Sequence, residues 1–167
     1  MPDHTIFNER PESQDRAIKT LVAMGYQYIS RAEAEQKRGH LSRVLFPDTM
    51  QAFMGGQGFR HRGQLHPFSG ASIKTAIDAL DVPLAQGNLS SVGKQIYDNM
   101  LYGKSCPETL YDGVQSFNVP YVDWADAKSN IWQVTEEFSV ERPNGQYARP
   151  DIVLMLNGIP VVVIECK

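Results

Sequence analysis

The chain has 167 residues, enough for one domain with a substantial hydrophobic core. Its hydrophobic fraction of 42% and charged fraction of 21% are ordinary for a globular protein, and no apolar stretch approaches the ~20 residues of a membrane span. A polar N-terminus and two isolated cysteines, Cys106 and Cys166, argue against a secreted, disulfide-stabilised protein. The sequence therefore predicts a protein of the reducing cytoplasm.

The charge is unevenly distributed along the chain. The net charge of −3 disfavours non-specific nucleic-acid binding. Residues 31–74, however, contain seven Lys or Arg against three Asp or Glu, a balance of +4, whereas residues 75–167 contain six basic and twelve acidic residues, a balance of −6. The basic segment could face phosphates while the acidic remainder holds metal ligands. The alternative is that both are solvated surfaces.

The first half of the chain is predicted to be helical. One helix begins near Ser13 and ends at Gly25, with apolar residues spaced as on one helix face. Ser30 and Glu33 form a capping-box pattern at the start of a second, charged helix, which Gly39 ends. Further helices are expected over residues 48–54, 71–80 and 90–102, and the glycine-rich segment 55–63 is expected to be a loop.

Strands are predicted after Thr109, over residues 114–122, 131–141, 148–156 and 159–166. Pro120 favours an edge position for the first strand. The last two are apolar on both faces, as is typical of strands in the middle of a covered sheet. This order predicts an α+β fold, or α/β once a further C-terminal part is added, with a mainly helical part (1–110) followed by a mixed or antiparallel β-meander (111–167).

Two acids and a lysine lie at the ends of the last two predicted strands. Asp151 begins one strand, and Glu165 and Lys167 end the next, on the other side of an Asn-Gly turn. Mg²⁺ prefers hard oxygen ligands, and a positive charge offsets the negative charge that develops during phosphodiester hydrolysis. We therefore predict that Asp151, Glu165 and the main-chain carbonyl of Cys166 bind Mg²⁺. Lys167 is the predicted catalytic cation.

This site constrains the geometry of the hairpin. Glu165 and Lys167 are two residues apart and face one side of a strand, so Asp151 must share that side. A strict two-residue turn would pair Asp151 with Ile164 and direct Glu165 to the opposite face. We therefore expect a β-bulge or an odd-length loop, which restores the shared face. The alternative interpretation is a pair of core strands with ordinary polar ends.

Arg60, His61 and Arg62 lie in the glycine-rich segment and are the best candidates for contacts with DNA phosphates. A flexible basic loop can follow a DNA backbone. The alternative is a solvated surface loop.

The segment ARPDIVLMLNGIPVVVIECK closely resembles the nuclease motif of the restriction (motor) subunit of type I restriction-modification enzymes, members of the PD-(D/E)xK superfamily. The segment ESQDRAIKTLVAMGYQYI resembles that family's first helix, and residues 88–103 and 131–140 are more weakly similar. The resemblance implies a restriction-endonuclease-like core in which Asp151 and Glu165 bind the metal and Lys167 is the catalytic lysine. It also implies an acid in the first helix near Gln14. Here that role would fall to Glu12 or Asp15, or be dispensable.

The resemblance further implies Mg²⁺-dependent endonucleolytic cleavage of double-stranded DNA, in defence against foreign DNA. The chain would be the N-terminal nuclease domain of a larger subunit whose ATP-binding motor domains are absent here, and the fragment alone would cut weakly or not at all. The implied partners are DNA and the methyltransferase and specificity subunits. Two alternatives remain: a stand-alone PD-(D/E)xK nuclease, and a non-catalytic docking or DNA-binding module of the same complex.

Overall fold

The structure, a computed structural model, describes residues 12–81, 89–142 and 144–166. Its helices are α1 (Glu12–Ala23), α2 (Arg31–Arg38), α3 (Pro47–Gly55), α4 (Gly70–Leu80) and α5 (Leu89–Tyr102). Its strands are β1 (Gln27–Ile29), β2 (Gly58–His61), β3 (Gln64–Pro67), β4 (Lys104–Leu110), β5 (Gly113–Val119), β6 (Trp132–Glu136), β7 (Val140–Glu141), β8 (Tyr147–Ala148), β9 (Ile152–Leu156) and β10 (Ile159–Ile164). The predicted α+β class is confirmed. Within these ranges no helix has the length and apolar character needed to cross a bilayer.

Local signals define the second helix as the sequence predicts. The Ser30 hydroxyl accepts a hydrogen bond from the Glu33 amide, and the Glu33 carboxylate accepts one from the Ser30 amide, which completes the capping box. Hydrogen bonds from the side chain and main chain of Ser30 hold the pKa of Glu33 below its ordinary value. Gly39 ends the helix in the left-handed conformation, with φ of 70°.

The central sheet has the strand order β1-β6-β9-β10. β1 runs parallel to β6, whereas β6, β9 and β10 are antiparallel to their neighbours. Every residue of β9 is buried. Ile152 and Leu154 share an apolar cluster with Ile18 of α1, whereas Val153 belongs to a cluster with Ala34 of α2. Helices therefore cover both faces of β9, which explains its continuous apolar run.

β10 does not occupy the central position that its apolar sequence predicts. In the described part of the chain it is the edge strand of the sheet. Val161, Val162 and Val163 are 39%, 44% and 57% exposed. An apolar run indicates which residues avoid water but not whether a further strand or helix covers them, so hydrophobicity alone could not separate an edge strand from a central one.

The strand predicted over residues 131–141 is interrupted after β6. Glu137 has a left-handed backbone, with φ of 46°, and the chain resumes pairing only in β7. The buried guanidinium of Arg38 supports this break, because its Nη1 donates to the Ser139 carbonyl at 2.7 Å and its charge lies 4.1 Å from the centre of the Phe138 ring. A contact from a helix one hundred residues away in the sequence therefore overrides the local strand pattern.

The glycine-rich segment 55–63 is not a loop, contrary to the prediction. β2 pairs with β3 through a tight turn in which Arg62 and Gly63 have φ of 49° and 83°. Positive φ at both central residues suits a two-residue hairpin, whose twist matches that of the strands. Phe59 is 7% exposed and stacks on Phe117 with ring centroids 4.0 Å apart. The alternation of Phe59 and His61 with exposed residues is thus a strand pattern that the glycines obscured.

A large apolar cluster joins the turn end of β9 and β10 to the rest of the chain. Leu156 and Ile159, on either side of that turn, share this cluster with residues of α3, α4 and the β2–β3 and β4–β5 hairpins. Tyr121 lies within it, 1% exposed, and its hydroxyl donates to the Ala76 carbonyl at 2.6 Å. Burial raises the pKa of Tyr121. The neutral phenol therefore acts as a buried donor that ties this segment to α4.

The turn between β9 and β10 is itself buried. Asn157 is 1% exposed; its Oδ1 accepts from the Ile131 amide at 2.7 Å, and its Nδ2 donates to the Tyr121 carbonyl at 2.9 Å. The carbonyl of Gly158 accepts from the Phe46 amide at 2.8 Å. A hairpin tip is usually solvated; here each polar group of the Asn157 side chain has a protein partner, which permits the burial.

We predict that Gly158→Ala destabilises the chain much more than Gly39→Ala. Both glycines have positive φ, of 84° and 70°, and an alanine there costs about 1–2 kcal/mol. At Gly158 the added Cβ would also lie 2.6 Å from the Phe46 carbonyl oxygen, which adds about 1–3 kcal/mol. At Gly39 nothing lies within 4 Å of it. Urea unfolding followed by circular dichroism measures both losses, and equal losses would contradict the close contact.

Candidate active site

A β-bulge in β10 determines which residues of the hairpin face each other. Pro160 pairs with Met155, but the next pair is Val162 with Leu154. Val161 is therefore an extra residue on β10, which is the definition of a bulge. Pro160 has no N–H to donate to the ladder, so the pairing is weakened at the point where the bulge begins. The expected irregularity is confirmed, and it lies in the strand rather than in the turn.

The bulge sets the register that leads to the two predicted metal-binding acids. After it, Ile164 pairs with Ile152 as the last pair of the ladder, and the same register continued by one residue aligns Glu165 with Asp151. Opposite residues of an antiparallel pair have their side chains on the same face. Without Val161 the whole register would shift by one residue and the two carboxylates would face opposite sides of the sheet.

Asp151 is held by hydrogen bonds from three parts of the chain. Its Oδ2 accepts from the Cys166 amide at 2.7 Å. Its main-chain carbonyl accepts from the Glu137 amide at 2.9 Å and from Nε2 of Gln14 at 3.2 Å. Asp151 is half-buried and Glu165 is exposed. One carboxylate is therefore fixed and the other is open to solvent.

Cys166 and Lys167 complete the predicted motif. Cys166 packs against the apolar cluster that contains Ile18 of α1, as a small hydrophobic residue would. Its side chain is thus directed into the core, and only its main chain is available to the site. Lys167 lies outside the described residues, so its role as the catalytic cation stays a prediction.

The first helix contributes a different residue from the acids considered in the sequence. Glu12 is exposed and pairs with Arg16 along the helix. Asp15 is half-buried and lines a cleft of about 530 Å³ together with Tyr28. Gln14, in contrast, is 2% exposed and bonds to Asp151. At the position where the family resemblance implies an acid, this chain has a buried amide in contact with the site.

Sequence reasoning missed a buried acid, Glu136, at this end of the sheet. Glu136, the last residue of β6, is 2% exposed and pairs in register with Ile152. The Tyr28 hydroxyl of β1 donates a hydrogen bond to its Oε1. The available signal was the two-residue period of β6, which puts Glu136 on the same face as the buried Val134. An acid on an apolar strand face is a candidate functional residue.

The donor set at Asp151 and Glu165 suits a cation that keeps much of its water. The two carboxylates lie next to the ends of the paired strands β9 and β10, and one oxygen of Asp151 already accepts the Cys166 N–H. In the described ranges no three Asp, Glu, His or Cys residues lie close enough together to hold one ion. Mg²⁺ is typically bound by one or two carboxylates and several waters, whereas structural Zn²⁺ requires four N or S ligands. The residues present fit Mg²⁺.

The three basic residues 60–62 do not share one environment. Arg60 is exposed at the end of β2, and the Arg62 side chain is 65% exposed. His61 is 9% exposed, and its Nε2 lies 3.0 Å from Oδ2 of Asp112. Arg62 approaches the same oxygen at 2.8 Å. The arginines are therefore accessible to a phosphate, whereas His61 is buried in a contact with Asp112.

The sequence profile of the family described as "Type I restriction enzyme R protein N terminus" matches residues 6–167. The chain belongs to this family. A relative from Methanocaldococcus jannaschii, named "Putative type I restriction enzyme MjaIXP endonuclease subunit", is 22% identical over 163 residues. The aligned region is 96% of this chain and 15% of the relative, so the chain spans only a small part of that protein. The resemblance inferred from the hairpin motif is confirmed for the R-protein family.

We predict a pH-dependent contribution of Asp112 to the stability of this R-protein domain. Partial desolvation raises the pKa of Asp112, but the hydrogen bond from His61 and the charge of Arg62 outweigh it, and the pKa lies below its ordinary value. The folded state then binds fewer protons than the unfolded state. The stabilisation is complete above the unfolded pKa of about 3.9 and is lost as the pH falls through the lower folded value.

The measurement is urea unfolding of wild type and Asp112→Asn between pH 3 and pH 7. We expect the variant to be less stable at neutral pH and the difference to shrink below about pH 4. Asp78→Asn, which removes an exposed carboxylate from a surface pair with Lys74, is the control. A difference that grows on acidification would contradict the ion-pair role.

Proposed function

We propose that this chain is a Mg²⁺-dependent nuclease domain that cleaves double-stranded DNA endonucleolytically within a type I restriction enzyme. The observation that carries the proposal is the bulge in β10, since its register, continued one residue beyond the Ile164–Ile152 pair, would align Glu165 with Asp151. Membership of the R-protein family and the name of the relative, an endonuclease subunit, agree with it. Two carboxylates at one end of a sheet are a ligand set with which Mg²⁺ can also bind waters and a substrate phosphate.

Asp151, Glu165 and the main-chain carbonyl of Cys166 would hold the metal ion. When bound, Mg²⁺ supplies charge neutralisation at the phosphate and lowers the pKa of a water ligand. The chain itself contributes orientation: the Cys166 N–H fixes one oxygen of Asp151 and leaves the other for a ligand. The exposure of Glu165 lets its carboxylate reach a substrate on the surface of the domain.

Lys167 would stabilise the negative charge that develops on the phosphate. It follows Glu165 by two residues, and an extended chain would direct both side chains to one face. An ammonium near the attacked phosphate stabilises the transition state more than the ground state, because the charge on the phosphate oxygens increases there.

The remaining parts of the proposal concern DNA and partner subunits. Arg60 has an exposed side chain, and Arg62, whose guanidinium pairs with Asp112, is 65% exposed. Phosphate contacts from these two residues would position DNA without reading its sequence. Recognition would belong to a specificity subunit, modification to a methyltransferase subunit, and ATP hydrolysis to motor domains elsewhere in the R subunit. Because the chain covers 15% of its relative, most of such a protein would lie outside this domain.

We predict that Asp151→Ala and Glu165→Gln abolish DNA cleavage by the full-length R subunit in its assembled complex, with a loss of at least about 10²-fold. DNA-stimulated ATP hydrolysis, measured in the same reactions, should be unchanged because the motor has its own site. Asp78→Ala removes an exposed acid that pairs with Lys74 on α4 and is the matched control.

Cleavage by both variants at the wild-type rate would exclude the nuclease assignment. The hairpin would then be ordinary core sheet, and the non-catalytic docking module would become the better account. Loss of subunit assembly on mutation of exposed residues of the helical half, with cleavage by the remaining complex intact, would support that account directly.

A further inference from the structure

We infer that Gln14 is a positioning residue for Asp151, and that it acts through its N–H donor rather than as the acid expected at this point of the first helix. The inference rests on the proposed function, because it concerns the same nuclease site. It assigns a role to a residue that has no carboxylate and that bonds to the main chain of Asp151.

The geometry links α1 directly to the carboxylate. Nε2 of Gln14 donates to the main-chain carbonyl of Asp151 at 3.2 Å, across 137 residues of sequence. The Glu137 amide donates to the same oxygen at 2.9 Å. The Asp151 carbonyl is therefore held between α1 and the residue that follows β6, while its side chain is held by the amide of Cys166, two residues beyond β10. A rotation of the Asp151 backbone would disturb all of these contacts at once.

Burial makes this hydrogen bond specific for an amide. Gln14 is 2% exposed, and loss of its N–H would leave the Asp151 carbonyl with one fewer donor, the Glu137 amide remaining. A glutamate at position 14 has no N–H to donate in its ionised form, and its oxygens would repel the Asp151 carbonyl. Strand β6, which pairs with β9, already contains the buried carboxylate of Glu136. A second buried charge, at position 14, would therefore add a further desolvation cost at this end of the sheet. The neutral donor suits this place and an acid does not.

The test uses the full-length R subunit in its assembled complex, with Gln14→Glu and Gln14→Met. Both variants keep the approximate size of the side chain and remove the N–H donor. Gln36→Glu, the same chemical change at an exposed position of α2, is the matched control. The measurements are the DNA cleavage rate at saturating DNA, DNA-stimulated ATP hydrolysis, the Mg²⁺ concentration for half-maximal cleavage, and hydrogen exchange at the Cys166 amide.

We expect both Gln14 variants to lower the cleavage rate by about 10²-fold, the effect of displacing a reacting group by about 1 Å. ATP hydrolysis should be unchanged, the half-saturating Mg²⁺ concentration should rise, and the Cys166 amide should exchange faster because Asp151 no longer holds it. Gln36→Glu should behave as wild type in all four measurements.

Cleavage by Gln14→Glu at or above the wild-type rate would overturn the inference, because position 14 would then serve as the helix acid. Wild-type cleavage by Gln14→Met would overturn it too, since the donor would be unnecessary. Parallel loss of cleavage and ATP hydrolysis would assign Gln14 to folding alone and would equally overturn it. The Asp151→Ala variant distinguishes a failure of the proposed function from a failure of this inference. If Asp151→Ala still cleaves DNA, the proposed nuclease function is wrong. If Asp151→Ala is inactive but both Gln14 variants are fully active, only the positioning role of Gln14 is wrong.

Discussion

The buried turn at Asn157 and Gly158 is the constraint on which the rest of the site depends. Asn157 bonds to both the Ile131 amide and the Tyr121 carbonyl, and Gly158 lies so close to Phe46 that no side chain fits. The turn is therefore fixed within the core, and its position sets the register in which β9 pairs with β10. A slip of one residue would direct the two carboxylates to opposite faces, so the packing of a turn at one end of the sheet sets the alignment of two acids at the other.

Asp151 depends on elements that are far apart in the sequence. Its carbonyl is bonded to Gln14 and Glu137, and its carboxylate is bonded to the Cys166 amide. These donors belong to α1, to the residue just after β6 and to the segment just after β10. The carboxylate can therefore be oriented only after the helix has packed on the sheet and the hairpin has closed. Such support from surrounding hydrogen bonds is what keeps a metal-binding carboxylate in a productive orientation.

The basic segment near residue 60 is ordered by its own packing contacts. It is folded as a hairpin through the burial of Phe59 and the contact between His61 and Asp112. Arg60 is left exposed at the end of a strand rather than on a mobile loop. Any contact of this hairpin with DNA would thus be made by a preorganised surface, which loses less conformational entropy on binding than a flexible loop.

The sequence by itself determined the features whose causes are local. The capping box at Ser30 and Glu33 follows from side chains three residues apart, and the need for a bulge follows from the two-residue period of a strand. Only the tertiary structure decided that the bulge lies at Val161, that β10 is an edge strand, and that Gln14 bonds to Asp151 across 137 residues. A short sequence segment indicates the backbone preference of its residues and the period of its apolar positions. The position of the bulge, the edge position of β10 and the bond of Gln14 depend instead on which distant parts of the chain pack together, and no short segment contains that information.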